Sequence, residues 1–456
     1  MGFQTVSNQL EYKKISPVEL VRQSLANIER DNPTYNAFIT VCETEAMAAA
    51  KIAEEEMMKE VRRSPFHGIP IAVKDIIFTK GIRTTMGSEM YKNFTPDYDA
   101  TVITKLKEAG AIIIGKAHTH EFAVGPIGDV SGFGPCRNPY NPEKIAGGSS
   151  SGSAVAVATK MAFAALGTDT GGSIRIPASA CGIVGMKPTF GLVSKYGIHN
   201  LAYTLDHPGP MTRNVMENAL LLTILAGQDD KDLFTIQRPA EDYSRFIGSS
   251  IQGKTIGIPS YYYQNLESEV ATKMEEVIHT YHMLGANVVN VELEKIDEII
   301  RAQSMTIRAE IYAEHAENIM NNRQGYHPNV YAGILDCKGV SSSDYIRAQQ
   351  QRHQLIEGFN HVFNKVDVLL TPTLPIVPTT IGQNVVQLGD QRELVGDALI
   401  RLNRPTNFTG NPGLSIPCGF SSSGLPIGFQ LIGKHWDEAL LYQLGYAYEQ
   451  STNSTR

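Results

Sequence analysis

Apolar residues fall into two patterns that alternate along the chain: recurrence every three to four positions, and short unbroken runs. The first reads as helix and the second as buried strand. The clearest helix start is Ser16 as N-cap, Pro17 at the first helical position and Glu19 at the capping-box position, followed by Leu20, Val21, Leu25 and Ile28 on one face. Pro33 is expected to end this helix. The pattern then predicts a helix over 44–61, a strand over 69–73, a helix over 101–108 and a strand over 111–114. A helix over 153–161 and a strand over 163–166 follow. Further on come helices over 218–225 and 267–284, strands over 255–258, 287–293 and 366–370, a hairpin pairing 414–416 with 427–431, and a last helix over 437–450.

Alternating helix and strand with a late hairpin implies a single large α/β domain spanning 1–456. Its central sheet is expected to be mixed, mostly parallel and covered by helices on both faces. No Pro/Gly/Ser linker or repeat period divides it. Composition narrows the partners. Forty Lys plus Arg against 47 Asp plus Glu give a net charge of −7, which disfavours nucleic acid as a partner. No apolar run approaches the ~20 residues that span a bilayer, so no membrane partner is expected. The start, Met1-Gly2-Phe3-Gln4, lacks a targeting pattern, and the expected location is cytoplasmic. Five widely spaced cysteines (Cys42, Cys136, Cys181, Cys337, Cys418) suit reduced, buried small side chains rather than disulfides or a Cys-rich metal site.

Two Gly/Ser segments stand out as candidate chemistry. In Ala146-Gly147-Gly148-Ser149-Ser150-Ser151-Gly152-Ser153 three readings compete: a nucleophile elbow, a phosphate cradle, and a loop that only caps a helix. The elbow requires a strand immediately before the serine, and Pro135, Pro139 and Pro142 argue against one. The cradle lacks its Gly-Lys-Ser/Thr ending. The second segment runs from Gly167 to Pro177. Its adjacent Gly171 and Gly172 before Ser173 let backbone N–H groups converge on an oxyanion. Lys74, at the end of its own strand, is a titratable partner for a serine in a chain with no obvious Ser, His, Asp order.

Together these segments resemble the amidase signature family. The likeness covers most of the chain and rests on Gly147 to Gly152, Gly167 to Pro177 and Lys74-Asp75, with supporting text such as Asp206-His207-Pro208-Gly209-Pro210 and Gly433-Lys434-His435. The separation of Ser149 from Ser173 equals the one this family uses between its bridging and nucleophilic serines. The resemblance implies Ser173 as nucleophile, Ser149 as bridging serine after a cis peptide, and Lys74 as terminal base. It places the oxyanion hole on the N–H groups of Thr170, Gly171, Gly172 and Ser173, with Asp169, Arg175 and Ser150 in support. Residues 63–215 would form the signature core, 1–62 helices packed on it, and 216–456 the rest of the sheet and its covering helices.

A base role constrains Lys74 physically. An exposed lysine is only about 0.04% neutral at pH 7, so the site must be partly dry to lower its proton affinity. Neutral Lys74 would draw a proton through Ser149 while Ser173 attacks the amide carbon, and water would then release the acyl group. His118-Thr119-His120-Glu121 invites a metal reading, but no third ligand is indicated. Neither metal nor cofactor is expected.

The family includes free-standing amidases and a glutaminase subunit that supplies ammonia to a tRNA-dependent partner. The latter would need an arginine and an aspartate to clamp glutamine. Near the matching places stand Val330-Tyr331-Ala332-Gly333 and Ala398-Leu399-Ile400-Arg401, with Asp397 adjacent. This favours a free-standing amidase that cleaves a small carboxylic amide, with a homodimer compatible. The glutaminase subunit is the alternative. A further alternative, a non-catalytic member serving only in assembly, is disfavoured by the intact Lys74, Ser149 and Ser173.

Overall fold

The apolar runs become strands. In the computed structural model, which describes residues 3–239 and 241–452, these are β1 (Phe38–Val41), β2 (Pro70–Lys74), β3 (Ile112–Ala117), β4 (Ala164–Asp169), β5 (Val184–Lys187) and β6 (His207–Thr212). The later part adds β7 (Thr255–Pro259), β8 (Asn287–Val291), β9 (Val368–Pro372), β10 (Val385–Leu388), β11 (Gln391–Leu394), β12 (Gly413–Phe420) and β13 (Pro426–Ile432). Met1 and Gly2, part of the start read for a targeting signal, lie outside the described residues.

Eleven strands form one sheet in the order β1-β3-β2-β4-β6-β5-β12-β13-β9-β7-β8, and β10 pairs with β11 apart from it. The neighbours of β2 and of β7 are parallel to them, and the remaining ladders are antiparallel. The fold is thus a single large α/β domain with a mixed central sheet. Side chains on a strand alternate between faces, and Ile71 and Val73 join one hydrophobic cluster while Ala72 joins another. Ile113 is likewise separated from Ile112 and Ile114. A helix layer therefore seals each face, which explains why these strands read as unbroken apolar runs.

The helix Pro17–Tyr35 carries the expected capping box, with Glu19 N–H donating to Ser16 Oγ at 3.2 Å and Ser16 N–H to Glu19 Oε2 at 2.8 Å. Pro33 does not end it. The proline is accommodated within the last turn, and the stop is Asn36 in the left-handed conformation, its N–H donating to the Asn32 carbonyl. All five cysteines are free and buried. No described helix is long and apolar enough to cross a membrane.

Strand polarity sets up the site. Parallel β2 and β4 bring Lys74 and Thr168-Asp169 to one edge of the sheet, and antiparallel β6 begins there, with His207 opposite Asp169. Asp206, one residue before β6, reaches the same edge.

Candidate active site

Lys74 is wholly buried, and its Nζ donates to Ser149 Oγ at 2.7 Å and to Thr168 Oγ1 at 2.8 Å. Burial lowers its proton affinity, with Asp206 and then Asp169 acting in opposition, and the result is a pKa of about 7. A group at that value is half neutral near pH 7 and can accept a proton.

Ser149 follows a cis Gly148–Ser149 peptide bond and is itself wholly buried. Its carbonyl accepts the His120 N–H at 3.1 Å, and the Gly148 N–H donates to the Pro126 carbonyl at 2.7 Å. The helix Ser151–Ala158 starts directly after this pair. Ser150 is locked: its hydroxyl contacts both the carbonyl and the N–H of Thr168 at 3.2 Å, and its N–H donates to the Ser173 carbonyl at 3.2 Å. The residue ties the two Gly/Ser segments together rather than offering a nucleophile.

Ser173 is 7% exposed against 0% for Lys74 and Ser149, so of the three it is the one nearest solvent. Beside it, a Cβ on Gly171 would meet nothing within 4 Å, which marks open space over the loop. Gly172 is different. Its φ of +126° and the 2.7 Å that a Cβ would leave to Asn403 and Ile176 exclude any side chain. The Gly172 N–H donates to Asp169 Oδ1 at 2.8 Å, whereas those of Gly171 and Ser173 meet no protein acceptor among the described residues.

Asp169 and Arg175 form a buried two-point ion pair, Nε to Oδ2 and Nη2 to Oδ1, each at 3.0 Å. Burial pushes the Asp169 carboxyl up, but Arg175, with Lys187 and Asn407, outweighs it and holds the group well below the usual carboxylate range. Arg175 also donates to Thr406, Gln430, Asn407 and the Asn403 carbonyl, so its guanidinium is saturated. Breaking a buried pair strands a charge. Arg175→Met is expected to lower stability by about 3–5 kcal/mol, read as a drop in the urea midpoint at unchanged m-value. A midpoint equal to wild type would show that the pair does not hold the loop.

His118 and His120 are not brought together as ligands. His118 contacts Ser151 Oγ at 3.1 Å and the Gly134 carbonyl at 2.8 Å, while His120 Nδ1 accepts the Gly128 N–H at 3.2 Å. Burial pushes them down to about 4 and about 3, which leaves both neutral at pH 7. Among the described residues no group of three or more His, Cys, Asp or Glu could hold a metal ion.

Two site neighbours were not singled out from sequence. Thr168, the second acceptor for Lys74, sits inside the Gly-Thr-Asp text, and Asp206 leads the Asp-His-Pro-Gly-Pro text, so the segments were visible but the individual roles were not. Lys116 and Asp75, the residue after Lys74, form a second buried pair at 3.7 Å. Asp397 is exposed, and Arg401 is bound to Glu393 and to the Gln264 and Asn265 carbonyls.

Residues 19–442 match the family described as Amidase, and the chain belongs to that family. Within it, the chain is 39% identical to the A-type subunit of the glutamyl-tRNA(Gln) amidotransferase of Geobacter metallireducens, over 98% of this chain and 96% of that one. The corresponding protein from Thermosynechococcus vestitus is 38% identical, with 98% and 97% covered. The crystal structure of its Thermotoga maritima counterpart is 33% identical, with a TM-score of 0.82 over 99% and 95% of the two chains. A structure from an unexpected vestigial protein complex, bearing on the evolutionary origins of an s-triazine catabolic enzyme, gives 0.95 at 28% identity over 99% and 98%.

These relatives overturn two expectations: a free-standing amidase as the main reading, and partners limited to a small amide without nucleic acid. The physical reasons are plain. Two local positions carry far less information than identity across the whole length. A net charge of −7 describes one chain, and one member of an assembly need not itself carry the surface that holds a nucleic acid.

Proposed function

We propose that this chain is the amidase component of an amidotransferase assembly, cleaving the carboxamide of glutamine and releasing ammonia to a partner protein that acts on a tRNA-linked acyl group. The observation that carries this reading is the 39% identity along 98% of the chain to a protein named as part of the glutamyl-tRNA(Gln) amidotransferase. In the reaction Lys74 takes a proton from the Ser149 hydroxyl as Ser149 takes one from Ser173, whose Oγ bonds to the amide carbon. The N–H groups of Thr170, Gly171 and Ser173 hold the oxyanion, with that of Gly172 committed to Asp169. The relay returns the proton to the nitrogen, the C–N bond breaks, and ammonia leaves. Water then repeats the cycle on the acyl-enzyme.

A second reading rests on shape: the TM-score of 0.95 to the vestigial-complex chain exceeds the 0.82 to the Thermotoga protein. Under it the chain works with a partner protein on a small nitrogen-rich amide, through the same residues. The deciding experiment purifies the tagged chain from its native cells with whatever partners it retains. Ammonia release is then measured from glutamine, with and without glutamyl-tRNA, and from small amides and ureas. Glutamine turnover that rises with glutamyl-tRNA is expected. Turnover of small ureas with none of glutamine would replace the first reading by the second.

A further inference from the structure

Asp206 is a buried carboxylate at the triad's edge of the sheet, and the proton relay makes no use of it. Its Oδ1 accepts the Thr170 hydroxyl at 2.5 Å, and its carboxylate also accepts the N–H groups of Leu201, at 2.9 Å, and Ala202, at 3.2 Å. Burial raises its pKa, with the Thr170 hydroxyl, Lys195 and the N–H groups of Leu201 and Ala202 acting in opposition. No cation pairs with it among the described residues. Lys195 acts on it only from a distance, since its Nζ donates to the Tyr203 carbonyl and lies 4.2 Å from the centres of the Tyr203 and Phe234 rings.

On the reading of Lys74 as the base, we propose that Asp206 is a positioning residue with two roles: it pins the Thr170 end of the nucleophile loop, and its negative charge acts on Lys74. The geometry supports both. Thr168 receives the Lys74 ammonium and Thr170 reaches Asp206, so one short segment at the end of β4 links base and carboxylate.

The other charges facing Lys74 are neutral or compensated. Asp169, from β4, is neutralised by Arg175. His120, on the loop after β3, and His207, on β6, are both neutral because burial pushes them down. Asp75, directly after β2, turns to Thr85 and Lys116. Lys187, on β5, donates to the Pro188 carbonyl and is pushed down by burial. Asp206 is the foremost charge opposing the effect of burial on Lys74.

The test follows inactivation by a fluorophosphonate from pH 5 to 9, which needs no knowledge of the natural substrate. In wild type the rate should climb through an acid limb centred near pH 7. Asp206→Asn should move that limb down by about one unit and lower the plateau. Thr170→Val, which keeps the charge, should lower the plateau several-fold without moving the limb. A limb that stays in place in Asp206→Asn, or a wild-type plateau in Thr170→Val, overturns the proposal. If Asp206→Asn does not fold, the Thr170→Val plateau alone decides. Loss of the triad reading would look different: no adduct on Ser173, or a Lys74→Met protein with wild-type rates.

Discussion

Ser173→Ala is expected to abolish amide hydrolysis while leaving the unfolding free energy within about 0.5 kcal/mol of wild type. Removing a serine nucleophile from a relay of this type costs on the order of 10⁶ in turnover, because no other atom can form the acyl bond. The fold should tolerate the change. The loop is held by Asp169 and Arg175 and by the contact of the Ser150 N–H with the Ser173 carbonyl, none of which needs the Ser173 hydroxyl. Mass spectrometry after fluorophosphonate treatment of wild type should place one adduct on Ser173 and none on Ser150, whose hydroxyl is engaged on both sides by the Thr168 backbone. An adduct on Ser150 would sink the assignment.

Lys74→Met should lower turnover by about 10² to 10⁴, the usual worth of a general base. It should also change stability in a pH-dependent way. Lys74 is held near 7 in the fold against 10.5 for the free side chain, so the unfolded chain binds an extra proton between those values. Stability therefore rises with pH across that window, and the contribution is lost as pH falls to 7, a span on the order of 5 kcal/mol. Methionine removes this component. Relative to wild type, the variant should be favoured most at pH 7 and below, and that difference should shrink toward pH 10. Parallel denaturation curves at pH 7 and pH 9.5 check it, and an unchanged gap between the proteins would mean that Lys74 is charged in the fold.

How much was legible before the structure follows from where the information sits. β2, β3 and β4 were readable because burial on both faces leaves only apolar residues in a strand, and the Ser16 helix because its cap is local. β6 was not: His207-Pro208-Gly209-Pro210-Met211-Thr212 is poor strand material by composition, and only the pairing with β4 makes it one. The Ile296–Asn321 helix carries a weak amphipathic pattern because polar Gln303, Thr306 and His315 lie among its buried residues. At the site, the segments that carry Lys74, Ser149 and Ser173 stood out in the sequence, and the structure brings Lys74 Nζ onto Ser149 Oγ. Thr168 and Asp206 were hidden because their importance lies in what they touch. The partner question failed for a further reason, since a charge count reports on one chain and never on its assembly.

The saturation of Arg175 also sets a clock. Its partners Thr406 and Gln430 lie 231 and 255 residues further along the chain, and β5 gains its neighbour β12 only when Gly413 to Ser415 exist. On a ribosome the loop from Gly167 to Pro177 is therefore made early and finished late. A nascent chain can carry Lys74, Ser149 and Ser173 for more than half of its synthesis without the framework that arranges them. Chains cut short before residue 400 should be silent toward fluorophosphonates, and supplying the missing C-terminal piece as a separate polypeptide is the way to restore labelling.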